Sequence, residues 1–469
     1  MRGPTVQSMT LRRSMPVNAL IARVALVVFL AACGSDRDPL GVAADGSIRG
    51  TVTDDAGAAV PSVAVELTGN AQAARGTTTG ADGGYTFTGV PSGAYTVTVT
   101  PPAGFTIGAA GTASVTVASG AEASATAIVL NRVSPPATFE AALRARLEAS
   151  TAANTFAGAV LVVRDGQTVF EGAYGLADRG QGVPNSPLTK FRVGSMNKML
   201  TAVAVLQLVQ AGSVKLDATL GTYLPDYPNV DLASQVTIHH LLTHTGGTGD
   251  IFGPEFTAHR LDLREPSDYL ELYGSRDLLF APGSQWVYSN YGFMLLGAVI
   301  EKVSGMRYDD YVAAHVLGPA GMTDAGAAPE DVFVPGRPVG YMRQGGTLVS
   351  NAPTLPYRGT PAGGWYATVR DFERFAAALR EHRLLDPAHT ALLLDGKVPM
   401  GQSIVNYAYG FIDRVQNGRR LVGHGGAAPG MSGELSFEPN GGYTVVVLSN
   451  LSAPAATQIE AFILGNLPN

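Results

Sequence analysis

Hydrophobic periodicity changes sharply near residue 131, and that change limits what these 469 residues can fold into. From 45 to 130 apolar and polar residues alternate in short runs, at 47–53, 62–67, 85–88 and 94–99. The runs are separated by the turns Asp54-Asp55-Ala56-Gly57, Ala81-Asp82-Gly83-Gly84 and Pro91-Ser92-Gly93. A period of two sends alternate side chains to opposite faces of a strand, so this part reads as a small all-β sandwich at 45–131. Pro135 and Pro136 mark a linker at 132–138, and helical spacing then begins with Phe139, Leu143 and Leu147. Hairpin signals stand at both ends of the remainder. One pairs 157–163 with 168–172 around Arg164-Asp165-Gly166, and the other pairs 434–437 with 443–449 around Pro439-Asn440-Gly441-Gly442. A closing helix is expected over 455–464. One antiparallel sheet therefore draws strands from both ends of 139–469, and the helical middle, about 195–380, packs beside it. The expected architecture is α/β: a sheet flanked by helices plus a helical subdomain, with a cleft between.

Residues 1–32 form a separate unit. Arg2, Arg12, Arg13 and Arg23 precede or flank an apolar run that closes in Leu30-Ala31-Ala32-Cys33. A short apolar run behind arginines is a secretory signal rather than a spanning helix. Leu-Ala-Ala-Cys resembles the lipobox of bacterial lipoproteins, so the expected product begins at a lipidated Cys33, tethered through 33–44 and held in the periplasm on a membrane, the outer one by preference. An ordinary signal peptide is the alternative. Cys33 is the only cysteine, so no internal disulfide is available. Removing 1–32 takes away four arginines and no acid, which carries the formal charge from -6 to -10. That balance argues against a nucleic-acid partner and against polybasic attachment to anionic lipid, leaving membrane contact to the lipid anchor alone.

The chemistry starts at Gly194-Ser195-Met196-Asn197-Lys198. If Ser195 opens a helix, Lys198 lies one turn on and on the same face. An amine whose pKa is lowered by burial can take the serine proton, the S-x-x-K device of acyl-serine enzymes. The pair alone carries little weight, since Ser195 could be a helix cap and Lys198 a surface charge. A second proton carrier is offered by Tyr288-Ser289-Asn290. A phenol near an ammonium can be held partly as phenolate, while Asn290 can orient Lys198 and donate to a substrate carbonyl. The third element is His424-Gly425-Gly426, just before the C-terminal hairpin. Its glycines would let a strand approach the substrate closely, and a backbone N–H beyond them could join that of Ser195 in an oxyanion hole. Two similar triplets are set aside: Tyr227-Pro228-Asn229 in a proline-flanked loop, and His244-Thr245-Gly246 as a helix end turning into a loop.

In this order and these settings the chain resembles the serine β-lactamase and penicillin-binding-protein superfamily, in the branch of class C β-lactamases, D-alanyl-D-alanine carboxypeptidases and related esterases. Phe191 to Ser195, Leu241 to Gly247, Ala362 to Thr368 with Asp371 to Phe375, and Val445 to Asn450 add to the likeness, which runs from about 139 to 466. The resemblance implies Ser195 as nucleophile, Lys198 and Tyr288 as the acid/base pair, and Asn290 as partner of substrate and lysine. It implies His424 as third-motif residue, Gly425 and Gly426 beside the substrate, and the N–H groups of Ser195 and Ala427 as oxyanion hole. No cofactor or metal is implied. Where class C β-lactamases carry lysine this chain has His424, which is mostly neutral near pH 7 and leaves room for an ester or a peptide. The segments Gly50 to Pro61, Asp82 to Phe87 and Val90 to Val97 resemble the carboxypeptidase regulatory-like domain, read here as a spacer or adhesion module.

The expected function is hydrolysis of an amide or ester through an acyl-serine. The substrate would be a small molecule or peptide, a cell-wall fragment being one candidate. A class C-like β-lactamase and a non-catalytic peptide-binding protein on the same fold are the alternatives. His240 and His244, four apart, could share a metal, but no glutamate or third ligand accompanies them. Trp286, Tyr291, Trp365 and Tyr366 are candidates either for the cleft or for the core.

Overall fold

The computed structural model describes residues 44–102, 104–108, 111–132, 137–402 and 404–468. The signal segment, Cys33, the tether as far as residue 43 and residues 133–136 of the linker lie outside the described residues. None of the helices among the described residues is long and apolar enough to cross a membrane.

The N-terminal part is built from two sheets. A five-stranded sheet orders Gly84–Val90, Gly46–Asp54, Ile128–Arg132 and Phe105–Ile107, with Glu122–Ser124 also pairing against Gly46–Asp54. A four-stranded sheet orders Arg75–Thr78, Ala64–Gly69, Gly93–Thr100 and Thr112–Val117. Alternate residues such as Ile48, Val52, Val65, Val97 and Leu130 fill a single core, as the period of two requires. At the end of its strand the buried Asp54 accepts the backbone N–H groups of Ala56 and Ala58 at 2.9 and 2.7 Å and pairs with Arg132.

The second part opens with helix α1 (Ala137–Ala152) and is organised by an eight-stranded sheet. Its strands, in chain order, are β1 (Gly158–Arg164), β2 (Gln167–Tyr174), β3 (Val398–Gln402), β4 (Val405–Tyr407), β5 (Ile412–Gln416), β6 (Arg419–Ala428), β7 (Met431–Phe437) and β8 (Tyr443–Ser449). The spatial order is β2-β1-β8-β7-β6-β5-β4-β3, and β1 runs antiparallel to β8 with Gly158 opposite Ser449. Strands from both ends of this part thus pair with each other, second and third from one edge of the sheet. Because β1 and β8 are covered on both faces, their alternating side chains divide between two cores. Leu161, Val446 and Leu448 join the helical body, while Val160, Val445 and Val447 pack under α1 and the closing helix α5 (Ala455–Asn466). The helical body includes α2 (Asn197–Gln210), α3 (Asn290–Ser304) and α4 (Val369–Arg380). Four strands from the 398–428 region widen the sheet beyond the two hairpins evident in the sequence. They bring β6 beside the start of α2.

Candidate active site

Ser195 does not open α2. It lies in a 3-10 turn, Gly194–Met196, that leads into the helix, and no side chain caps either element. The capping role is therefore unfilled, and the turn instead sets Ser195 against the edge of β6. Gly194 has φ of +51°, and a Cβ there would sit 2.9 Å from Ala427 N. A Cβ on Gly426 would collide with Val193 O at 2.0 Å and approach Ser195 N to 2.9 Å. Both positions need glycine for this contact. Pairing between β5 and β6 ends at Gly423, so beyond it β6 has an open edge on the side of the Ser195 turn. Gly425 faces the other way: a Cβ there would meet Glu434 Oε2 at 2.5 Å. Of the two glycines, Gly426 lies against the nucleophile and Gly425 does not.

Lys198, in the first turn of α2, has no exposed surface. Its Nζ stands 3.3 Å from Ser195 Oγ and donates to Asn290 Oδ1 and to Ala362 O, each at 2.7 Å. Neither short acceptor carries a formal charge. Burial consequently lowers the Lys198 pKa to about 7, although the more distant Asp250 carboxylate pulls upward. A free amine has two N–H bonds and one lone pair. Two carbonyl oxygens use both N–H bonds, which leaves the lone pair for the Ser195 hydroxyl. The loop carrying Ala362 is pinned by the same helix: Asn197 Nδ2 donates to Thr360 O at 2.9 Å and Thr201 Oγ1 to Pro361 O at 2.6 Å.

Tyr288 lies across Lys198, whose Nζ is 4.7 Å from the ring centroid. Burial pushes its phenol well above the ordinary tyrosine range, and the nearby Ser195 hydroxyl offsets this only in part. The phenolate expected from the sequence is therefore corrected to a protonated phenol at rest. Its buried hydroxyl faces that of Ser195 but makes no well-formed hydrogen bond among the described residues, a costly state found at reacting centres. Asn290 is anchored on a further acid, Asp250. Its Nδ2 donates to both Asp250 oxygens, at 3.0 and 3.2 Å, and its backbone N to Asp250 Oδ1 at 3.1 Å. With Oδ1 on Lys198 and one N–H shared between the two Asp250 oxygens, the amide is fixed as a lysine positioner, and its second N–H remains for a substrate carbonyl in the cavity that Asn290 helps to line.

His424 is buried and lies 6.2 Å, ring to ring, from Tyr288. Burial first, then the Lys198 charge, lowers its pKa to about 4, with the Gly425 carbonyl opposing. Its tautomer can be read from a hydrogen-bonded chain. Ser289 N donates to His244 Nδ1 at 3.1 Å, so His244 Nε2–H donates to Tyr407 Oη at 2.9 Å. Tyr407 in turn donates to His424 Nε2 at 3.1 Å, and His424 Nδ1–H donates to Gly425 O. A backbone N–H fixes one end and a backbone C=O the other, so both imidazoles are neutral. His244 was set aside on sequence as a bare helix end. It does end a helix, Ile238–Leu242, but its ring packs 4.2 Å from that of Tyr288. Both its ring nitrogens are engaged, which leaves none for a metal. Asp250 and Tyr407 are the participants that sequence reasoning missed; neither stands in a motif.

The other candidates are structural. Tyr227 is buried with its hydroxyl 2.9 Å from that of Tyr291, and Asn229 caps the helix Val230–Gln235. Trp365 and Tyr291 belong to the core. A cavity of about 240 Å³ opens beside Ser195, with Asn290, Ala362, Gly363 and Ala427 in its wall. Trp286, Tyr291, Trp365 and Tyr366 are not part of its lining.

The sequence profile described as Beta-lactamase matches residues 149–465, and that of the carboxypeptidase regulatory-like domain matches 47–131. The chain is 32% identical over 300 residues to the penicillin-binding protein named PbpX of Bacillus subtilis (strain 168), covering 63% of this chain and 71% of that protein. It is 36% identical over 278 residues to Esterase EstB of Burkholderia gladioli, covering 52% and 69%. The crystal structure of a penicillin binding protein from Bacillus halodurans superposes with a TM-score of 0.63 at 32% identity, over 68% of this chain and 98% of that one. The chain belongs to the beta-lactamase family, with a carboxypeptidase regulatory-like domain ahead of the family's own fold.

Proposed function

We propose that this serine hydrolase cleaves an ester or amide through an acyl-Ser195 intermediate, with the free amine of Lys198 as the base. The observation that carries the reading is the setting of Lys198: wholly buried, 3.3 Å from Ser195 Oγ, and bound to two uncharged acceptors. Near pH 7 about half of such amines are free, the condition under which general-base catalysis is most efficient. Lys198 takes the Ser195 proton as Oγ attacks the substrate carbonyl. The oxyanion is received by the N–H groups of Ser195 and Ala427, on the two sides of the glycine contact. Tyr288, protonated and facing Ser195, delivers a proton to the departing oxygen or nitrogen and recovers one from Lys198. Water then repeats the sequence on the acyl-enzyme. The names of the relatives, an esterase and penicillin-binding proteins, support acyl transfer to serine.

Replacing Ser195 with Ala tests this. Turnover of p-nitrophenyl esters should fall by about 10⁴-fold or more, and labelling by a fluorophosphonate should vanish. Labelling that persists at another residue, or an unchanged rate, would show that Ser195 is not the nucleophile.

A further inference from the structure

The wall beside the nucleophile carries a second message, about what the acyl group must be. The cavity at Ser195 is closed by Ile251, Phe252, Phe256, Leu355, Pro356 and Met431, and none of its lining residues is Lys, Arg, His, Asp or Glu. Arg260 and Arg264, bonded to Thr257 O and stacked on the Tyr357 ring, stand outside the lining, and the other basic groups around the site are committed. Lys198 is buried behind Ser195 on its carbonyl acceptors, and His424 is neutral with both nitrogens bonded. Arg192 is paired with Glu330, Arg276 with Glu255, and Arg358 with Glu265 and Asp309. A carboxylate entering here would lose its hydration and meet no cation in the cavity wall, which is strongly unfavourable. An apolar chain would gain from the same transfer. The cavity also lies on one particular side of the reaction. Ser195 and Ala427, whose N–H groups would hold the carbonyl oxygen, are in its wall, whereas Tyr288, which would protonate the leaving group, is not. It therefore receives the acyl part. Phe252 is 61% exposed at the mouth and stacks edge-on with Phe256 at 5.1 Å, so the apolar surface extends outward from the cavity.

We infer that the enzyme is selective for an uncharged, apolar acyl chain longer than acetyl, and that Phe252 and Phe256 set this preference. The inference rests on the acyl-Ser195 reading above. It excludes substrates whose acyl side carries a carboxylate as their recognition group.

The test uses the full chain and p-nitrophenyl esters of acetate, pentanoate, hexanoate and octanoate, with the glutarate half-ester as the charged counterpart of pentanoate. Each buried methylene is worth at most about fourfold, so kcat/KM should rise at least about tenfold from acetate to hexanoate. The glutarate half-ester should react about 100-fold more slowly than pentanoate. Phe252→Arg, an exposed position that tolerates charge, should narrow that gap about tenfold by supplying the missing cation. Phe252→Leu, which supplies none, should leave it. Ser195-dependent turnover with equal rates for pentanoate and the glutarate half-ester, or with no gain beyond acetate, overturns this inference and leaves the acyl-serine reading standing. Ester turnover that survives Ser195→Ala overturns both.

Discussion

Each part of the chain buries a charge-bearing side chain, and the two are treated in opposite ways. In the sandwich, Asp54 is 1% exposed; burial alone would raise its pKa, but the N–H groups of Ala58 and Ala56 and the Arg132 guanidinium outweigh it and hold the carboxyl below its usual range. In the hydrolase part, Lys198 has no opposite charge in contact, only the carbonyl oxygens of Asn290 and Ala362, and its pKa falls to about 7. A buried charge met by a countercharge stabilises a fold. One met by neutral acceptors is kept ready to give up its proton, at a cost in stability. With an unfolded pKa of about 10.4, that cost is roughly 5 kcal/mol below pH 7.

The largest expected effect follows from removing the unpaired member. Lys198→Met should lower ester turnover by about 10⁴-fold. It should also change how stability responds to pH. Between about pH 7 and 10 the unfolded wild-type chain binds a proton that the folded chain does not, so wild-type stability rises with pH across that window. Relative to Lys198→Met, the wild type should gain roughly 3 kcal/mol between pH 7 and 9.5, read from chemical denaturation at the two pH values. A constant difference would mean that Lys198 is charged in the fold.

Removing the paired member should do the reverse. Asp54→Ala takes away a carboxylate that accepts two backbone N–H bonds and Arg132, and should destabilise the sandwich by about 2 kcal/mol while kcat/KM stays unchanged. Since its folded pKa is depressed, the contribution of Asp54 is complete above the unfolded value of about 3.9 and disappears as pH falls through the folded one. Melts of wild type and variant should therefore converge at low pH. Loss of activity in this variant would tie the sandwich to the site and end the contrast.

The smallest effect probes the one acid that reaches toward Lys198. Asp250 raises the Lys198 pKa by its charge and also holds Asn290. Asp250→Asn retains an acceptor for Asn290 and removes the charge, so the acidic limb of the kcat/KM profile should move to lower pH. A limb that stays in place would show that Asp250 only holds the loop.

Much of this arrangement is legible in the sequence because it is local. Ser195 and Lys198 are one turn apart, Asn290 begins a long apolar helix, and His424 and Gly426 sit on a strand flanked by a clear hairpin. The meeting of β1 with β8 follows from alternation at both ends of the domain. What could not be read depends on loops fixed by distant partners. The segment after the helix Ile238–Leu242 is held by Val287 N on His244 O at 3.0 Å and Gly283 N on Thr245 O at 2.8 Å. Those contacts bring His244 under Tyr288 and Asp250 onto Asn290, and no periodicity or spacing encodes them. Tyr407 was hidden for a related reason: a buried tyrosine in a short strand looks like core until its hydroxyl is seen between two imidazoles. The phenolate expected at Tyr288 failed because the sequence shows a neighbouring lysine but not the burial that outweighs it.

Catalysis here turns on a single amine in a chain with only five lysines, 190, 198, 215, 302 and 397. NMR titration of protein carrying ¹³C at the lysine ε-carbons reads each of them directly. One resonance should titrate near pH 7 and be missing from Lys198→Met. A Lys198 resonance that titrates near the free-lysine value of about 10.4 would contradict it.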